Sequence, residues 1–239
     1  MHSFFTIVIS LKRSASRREE SKRILDNSGL QWEYLDAVDG LQLQSTPPEY
    51  HEAKVKRLLG FSLSASEIGC FISHRLAWAK CIEMNCPTLI LEDDFSLTPH
   101  FHHDLNVVTS SNLDWDIIRL QGLRETVDST VIKTNGISIV QNQDDPLGAT
   151  AYIIKPSSAI RLIQCSQDIY EPLDHFIEHF KKHRLRILAI KPYPVVTRSS
   201  PTTIYDRPER KPLQGLKKVL RSIARVIDRI TSDNPWFPK

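Results

Sequence analysis

Glu92, Asp93 and Asp94 are three consecutive carboxylates, set directly after the apolar run Thr88-Leu89-Ile90-Leu91 and directly before Phe95. Adjacent acids repel one another, and such a run at a strand end is relieved by a cation or a polyhydroxyl ligand. Hard carboxylate oxygens suit Mg²⁺ or Mn²⁺, which commonly bridge protein to a diphosphate. The carboxyl end of a buried strand is also where an open α/β sheet holds its ligands. The run therefore reads as a metal–diphosphate site, with a solvated acidic turn as the alternative. Asp94 is the first choice of metal ligand and Glu92 the second. Side chains alternate along an extended segment, so Asp93 faces elsewhere, toward a ribose or a capping amide.

The elements that must position these acids are legible around them. Phe4-Phe5-Thr6-Ile7-Val8-Ile9 predicts a first strand, and the polar turn from Ser10 through Arg18 leads into a helix that ends near Asn27, stopped by Ser28-Gly29. Trp32-Glu33-Tyr34-Leu35 predicts a second strand, closed by Asp36-Ala37-Val38-Asp39-Gly40. Strand, helix, strand is the opening of a parallel α/β sheet. Ser64-Ala65-Ser66-Glu67 has the form of a capping box, and Ile68, Phe71, Ile72, Leu76, Ala79 and Ile82 then recur at helical spacing to predict one buried face of a helix ending near Met84. That helix delivers the chain to the acidic strand. Further strands are expected at 115–120, 149–154 and 185–190, with a helix from Lys155-Pro156 through Cys165. Residues 191–213 hold five prolines and read as a loop.

A chain of 239 residues, 41% hydrophobic and 25% charged, has the makings of one soluble α/β domain. The net charge of +3 conceals an asymmetry. Residues 207–239 carry nine Lys/Arg against three acids, about +6, which leaves about −3 for residues 1–206. A mildly acidic body argues against a nucleic-acid-binding surface. The four cysteines lack paired metal-ligand spacing and read as reduced thiols of a cytosolic protein. The apolar start of the chain lacks the features of a signal peptide, and no run reaches the roughly 18 apolar residues of a membrane span.

Other residues offer chemistry with a structural alternative beside it. Arg13, Arg17 and Arg18 follow the first strand, where guanidinium groups and a helix N-terminus meet phosphates, although at least one suits a solvated helix face. His74 lies among buried positions, as a hydrogen-bonded core histidine or as a ligand contact. Glu67 already serves the capping box. His100, His102 and His103 read as an exposed turn.

Four stretches together resemble the lipooligosaccharide-type glycosyltransferases of family 25: Ile9-Ser10-Leu11-Lys12-Arg13 with Arg17-Arg18; Asp36 to Gly40; Leu63 to Cys70 with Ser73-His74; and Leu91-Glu92-Asp93-Asp94. Gly148 to Tyr152 and Pro172-Leu173-Asp174 fit as weaker matches, so the resemblance spans about residues 4–206. It implies an α/β nucleotide-sugar transferase (GT-A type) domain with a mixed, mostly parallel central sheet flanked by helices. It also implies an inverting transfer of a hexose, usually galactose from UDP-galactose, to a lipooligosaccharide or lipopolysaccharide core. On that resemblance the donor is bound by Ser10, Leu11, Arg13, Arg17, Glu67, His74, Glu92 and Asp93, with Mn²⁺ or Mg²⁺ on Asp94 and Glu92. Asp174 is the base that takes the acceptor proton, with an N-cap of a helix from His175 to Lys182 as its structural alternative. A glucosyl- or N-acetylhexosaminyltransferase of the same fold, a metal-dependent phosphohydrolase and a non-catalytic membrane-associated protein are the rival readings.

The tail completes the picture. Leu216, Val219, Leu220, Ile223, Ile227 and Ile230 form an apolar stripe with Lys217, Lys218, Arg221, Arg225 and Arg229 on the other faces, and Trp236-Phe237 follow. A basic amphipathic helix of this kind suits an anionic membrane surface, and packing on the domain or in a homodimer is its alternative. The expected location is peripheral, on the cytoplasmic face of a bacterial inner membrane, near a lipid-linked oligosaccharide acceptor.

Overall fold

A computed structural model describes residues 4–134 and 136–198. The chain opens with β1 (Phe5–Ser10), α1 (Ala15–Asp26), β2 (Trp32–Asp36) and a 3₁₀ turn (Gly40–Gln42). Next come α2 (Glu52–Leu59), α3 (Ala65–Met84), β3 (Thr88–Glu92), β4 (Phe95–Leu97), α4 (Phe101–Thr109), β5 (Ile117–Arg119), β6 (Asp128–Thr134) and β7 (Ile137–Asn142). It continues through β8 (Ala151–Ile154), α5 (Pro156–Cys165), α6 (Leu173–Glu178), α7 (Phe180–His183), β9 (Ile187–Lys191) and β10 (Val195–Thr197). Eight strands form one sheet in the order β2-β1-β3-β8-β5-β9-β7-β6. Following the pairings outward from β1, six strands run in one direction, and β8 and β7 oppose them. The sheet is mixed and mostly parallel in strand direction, as expected.

Period-two alternation divides the core into two layers. Ile7 and Ile9 of β1, Ile90 of β3 and Tyr152 and Ile154 of β8 pack with α2, α3, α5 and α6. Val8, Leu89, Leu91, Ala151 and Ile153 point to the opposite face, where Leu25 of α1 and Phe101, Leu105 and Val108 of α4 cover them. The central strands read as continuous apolar runs because both faces are covered.

α3 begins at the predicted capping box: the Glu67 amide donates to Ser64 Oγ (3.2 Å), and the Ser64 amide donates to Glu67 Oε2 (2.9 Å). Its buried face is rotated from the apolar pattern. Leu76 is 44% exposed, and Ala79 lies at the surface, whereas Ser73 and His74 are buried. Each polar group finds a fixed partner inside: Ser73 Oγ accepts from the Val38 amide (2.8 Å), and His74 Nδ1 meets the Tyr152 hydroxyl at 2.9 Å. Hydrogen bonds to Ser73 Oγ and His74 Nδ1 offset part of the cost of burying these polar groups.

The 3₁₀ turn lies hard against α3. A Cβ added at Gly40 would stand 1.8 Å from the carbonyl oxygen of Ala65, and one at Gly69 would stand 2.6 Å from that of Val38. Both obstacles are backbone, which cannot swing aside. Gly40→Ala is expected to cost on the order of 3 kcal/mol or more, lowering the melting temperature by about 6–12 °C in thermal unfolding.

Across the sheet, Arg119 is 1% exposed and pairs with Glu178 at 2.7 Å; one of its amino groups donates to the carbonyl of Leu147 (2.8 Å) and also to that of Gly148. This bonding ties β5 to the loop that precedes β8.

α6 starts at Leu173, with Pro172 as its cap residue and no capping side chain. Asp174 therefore lies inside the first turn, where its Oδ1 accepts from the His175 amide (3.0 Å), and is not the N-cap. His100 lies in an exposed turn at the cap of α4, as expected, whereas His102 and His103 stand on that helix. All four cysteines are free. No helix among the described residues is long and apolar enough to cross a membrane. The basic tail lies outside the described residues.

Candidate active site

The carboxyl ends of β1, β2 and β3 lie side by side because these strands are parallel neighbours, with Ile9 in register with Glu92 and Ser10 with Asp36. They open into a cleft lined by Ser10, Leu11, Arg13, Arg17, Asp39, Gly40, Ser66, Cys70, His74 and the three acids, among others. Its cavity volume is about 150 Å³, and its mouth is open to solvent.

Each acid has its own fate. β3 ends at Glu92, so Asp93 and Asp94 occupy a turn. Asp93 turns inward, where Ser10 Oγ donates to Oδ2 (2.6 Å) and Arg17 donates to Oδ1 (2.8 Å). Glu92 faces α3: Thr150 Oγ1 donates to Oε2 (3.1 Å), the Cys70 thiol approaches Oε1 at 3.8 Å, and His74 Nε2 lies 3.5 Å from Oε1. Asp94 Oδ1 is buried without a hydrogen-bond partner, and Oδ2 is 3.7 Å from Arg17.

The two remaining acids titrate apart. Burial works to raise Glu92, but its close neighbours His74, Thr150 and Cys70 outweigh it and leave Glu92 below the usual range. For Asp94, burial and then the negative charge of Glu92 push the carboxyl up to about 7, and Arg17 offsets them only in part. Like charges in a shared site separate in this way. A buried unpartnered oxygen with a second carboxylate nearby forms a donor set that fits a hard divalent cation.

The basic groups are anchored. Arg13 donates to Asp39 Oδ2 (2.6 Å) and holds that carboxyl below its ordinary range. Asp39 also caps the 3₁₀ turn through the Leu41 amide (3.2 Å). Arg18 leaves the cleft to bind Asp36 (2.7 Å) and the Ser10 carbonyl (2.7 Å). Beneath His74, the Tyr152 hydroxyl also accepts from Trp78 Nε1 (2.8 Å), which fixes the ring.

Of the residues expected at the site, Ser10, Leu11, Arg13, Arg17, His74, Glu92, Asp93 and Asp94 come together in the cleft. Glu67 is spent on the α3 cap and does not line it. Asp174 stands on α6, outside the lining but close enough that its charge helps raise the Cys70 thiol, after burial and Glu92. Thr150 and Arg198 were not foreseen. The ladder between β10 and β4 carries Arg198 to the acidic turn, where its backbone amide donates to the Asp94 carbonyl (2.7 Å) and its guanidinium to the Asp93 carbonyl (2.7 Å). Thr150 sits in a stretch the resemblance already marks. Arg198 follows a proline-rich segment with no local signal.

The chain is similar to known proteins. It is 27% identical to procollagen galactosyltransferase 1-B of Xenopus laevis over 214 residues, covering 77% of this chain and 34% of that protein. It is 27% identical to a glycosyltransferase 25 family member of Aedes aegypti, covering 89% of this chain and 39% of that protein. Procollagen galactosyltransferase 2 of Homo sapiens is 25% identical over 74% of this chain and 30% of its own length. The chain thus spans about a third of the length of these relatives. A solved structure described as a glycosyltransferase involved in the glycosylation of the major capsid of PBCV-1 aligns with a TM-score of 0.40 and 9% identity, over 77% of this chain and 81% of that one. The family model described as glycosyltransferase family 25 (LPS biosynthesis protein) matches residues 4–177, from β1 through most of α6. A match over most of the described fold, acidic cleft included, makes this chain a member of glycosyltransferase family 25.

Proposed function

We propose that the enzyme transfers galactose from UDP-galactose, with inversion, to a hydroxyl of a lipid-linked oligosaccharide of the lipooligosaccharide or lipopolysaccharide type. The observation that carries this reading is the buried, unpartnered Oδ1 of Asp94 beside Glu92, at the mouth of three parallel strands. The galactose choice draws on the names of the procollagen galactosyltransferase relatives, and the acceptor on the description of the family.

Asp94 and Glu92 would hold Mn²⁺ or Mg²⁺. When bound, such an ion neutralises the charge that builds on the departing diphosphate. Arg17 and Ser10 lock Asp93, so the acidic turn keeps its shape as the donor enters. Arg13 and the Gly40 turn line the other side of the cleft, where the nucleotide would lie. Asp174 takes the acceptor proton as that oxygen bonds to the anomeric carbon and the sugar–phosphate bond breaks. The location in this reading is the cytoplasmic face of a bacterial inner membrane, with the basic tail on its anionic surface.

Thermal unfolding with a panel of nucleotide sugars, each with and without Mn²⁺, tests the donor. A ligand that binds only the folded state raises apparent stability by about 2.7 kcal/mol at a hundred times its Kd. UDP-galactose with Mn²⁺ is expected to give the largest shift, and UDP-glucose or UDP-N-acetylhexosamine less. An equal shift with every UDP-sugar, or none, would overturn the donor assignment. Transfer of labelled galactose to a lipid-linked core, compared with a procollagen peptide, tests the acceptor.

A further inference from the structure

We infer that the floor of the cleft is a second cation site of different character, selective for a thiophilic divalent ion such as Zn²⁺ and built from Cys70 Sγ, His74 Nε2 and Glu92 Oε1. These three atoms all lie within 4.8 Å of one another, with Glu92 Oε1 at 3.5 Å from the histidine nitrogen and 3.8 Å from the sulfur. Among the described residues, no other group of three His, Cys, Asp or Glu side chains is so placed. Tetrahedral zinc, with Zn–S of about 2.3 Å and Zn–N and Zn–O of about 2.0–2.2 Å, needs ligand atoms roughly 3.3–3.6 Å apart. The site closes onto such an ion with small movements of three side chains.

The second observation is the state of His74. The residue is fully buried, its Nε2 makes no hydrogen bond, and that nitrogen is directed at Glu92. A buried ring nitrogen that lacks a hydrogen bond is under-satisfied, and a metal bond shared with the carboxylate 3.5 Å away would complete it. Nδ1 is already placed for the supporting role, 2.9 Å from the Tyr152 hydroxyl, to which it would donate its proton once Nε2 is metallated. Cys70 and His74 stand four residues apart on α3 and so share one helix face. All three residues line the cleft, which leaves the fourth coordination position open to it.

Thiolate and imidazole select Zn²⁺ and Co²⁺ over Mn²⁺ and Mg²⁺, the reverse of the preference at Asp94. Binding converts the Cys70 thiol to a metal-bound thiolate and releases one proton to solvent. Glu92 belongs to both donor sets, so a thiophilic ion on the floor takes a ligand from the hard cation. That antagonism rests on the reading of Asp94 and Glu92 given above, whereas binding at the floor does not.

Titration of the full-length, reduced protein with Co²⁺ tests the site. A thiolate-to-cobalt charge-transfer band that saturates at one equivalent, is erased by Zn²⁺ and disappears in Cys70→Ser is the expected result. Cys86→Ser and Cys165→Ser should keep the band, and His74→Gln should weaken binding at least tenfold. Absence of the band in the folded parent, or its persistence in Cys70→Ser, would overturn the assignment. Mn²⁺ binding followed by electron paramagnetic resonance separates the two readings. Zn²⁺ should weaken Mn²⁺ at least tenfold in the parent. Mn²⁺ binding indifferent to Zn²⁺ would overturn the antagonism, and a failure of Mn²⁺ to bind at all would remove the Asp94 reading while the cobalt band still decides the floor site.

Discussion

Asp94→Asn is expected to reduce transfer roughly a hundredfold to a thousandfold while making the protein more stable above neutral pH. The loss follows from the several kcal/mol of charge stabilisation that a cation held by this carboxylate supplies, since each 1.36 kcal/mol is tenfold in rate. The stability gain follows from the carboxyl's displacement from 3.8 to about 7 by burial and by Glu92. Below about pH 4 the group is protonated in both folded and unfolded chains. Between pH 4 and 7 the folded protein keeps a proton that the unfolded chain has released, so this group's contribution falls as pH rises, and the full penalty stands above pH 7. Asparagine removes the penalty. The variant should therefore melt a few degrees higher than the parent at pH 8 and at nearly the same temperature at pH 4, by thermal unfolding. The same titration governs cation binding, with Mn²⁺ affinity rising about tenfold per pH unit below 7 and levelling above it. Full activity in a folded Asp94→Asn protein would exclude the cation role.

Asp174→Asn should lower kcat by about a hundredfold to ten-thousandfold, the range for loss of a general base, with little change in the KM for the sugar nucleotide. The split matters because Asp174 is outside the cleft lining and only its charge reaches Cys70 and Glu178. A residue that merely shaped α6 would instead alter the melting temperature and both constants together. Asp174→Glu should recover part of the rate. Unchanged kcat in Asp174→Asn would move the base elsewhere.

What the sequence made legible is what short-range chemistry controls. β1, α1 and β2 announce themselves through apolar strands and polar turns, and the Ser64/Glu67 cap lies within four residues. The acids at 92–94 are contiguous, so their clustering needed no fold to be noticed. The buried face of α3 was misjudged because hydropathy alone ranks Leu76 above His74. The partner that buries His74 is Tyr152, 78 residues away. The β6–β7 hairpin went unseen because its first strand is exposed or half-buried throughout and carries polar residues on both faces. Arg198 belongs to the site through 105 residues of intervening chain, a distance no local pattern spans. Glu67 was placed at the donor because one side chain can satisfy two readings until a structure shows which partner holds it.

The antiparallel β8 has a consequence for how this catalyst comes into being. β3 pairs with β1 on one side and β8 on the other, and Thr150, one residue before β8, supplies both the carbonyl that receives the Glu92 amide and the hydroxyl that steadies its carboxylate. All three acids have left the ribosome well before Thr150 is made. A nascent chain halted at residue 140 would thus carry the three acids at the end of a strand with one open edge, sticky toward other chains and without the Thr150 contacts to Glu92. Competence arrives late in synthesis, when one reversed strand closes the seam between two halves of the sheet.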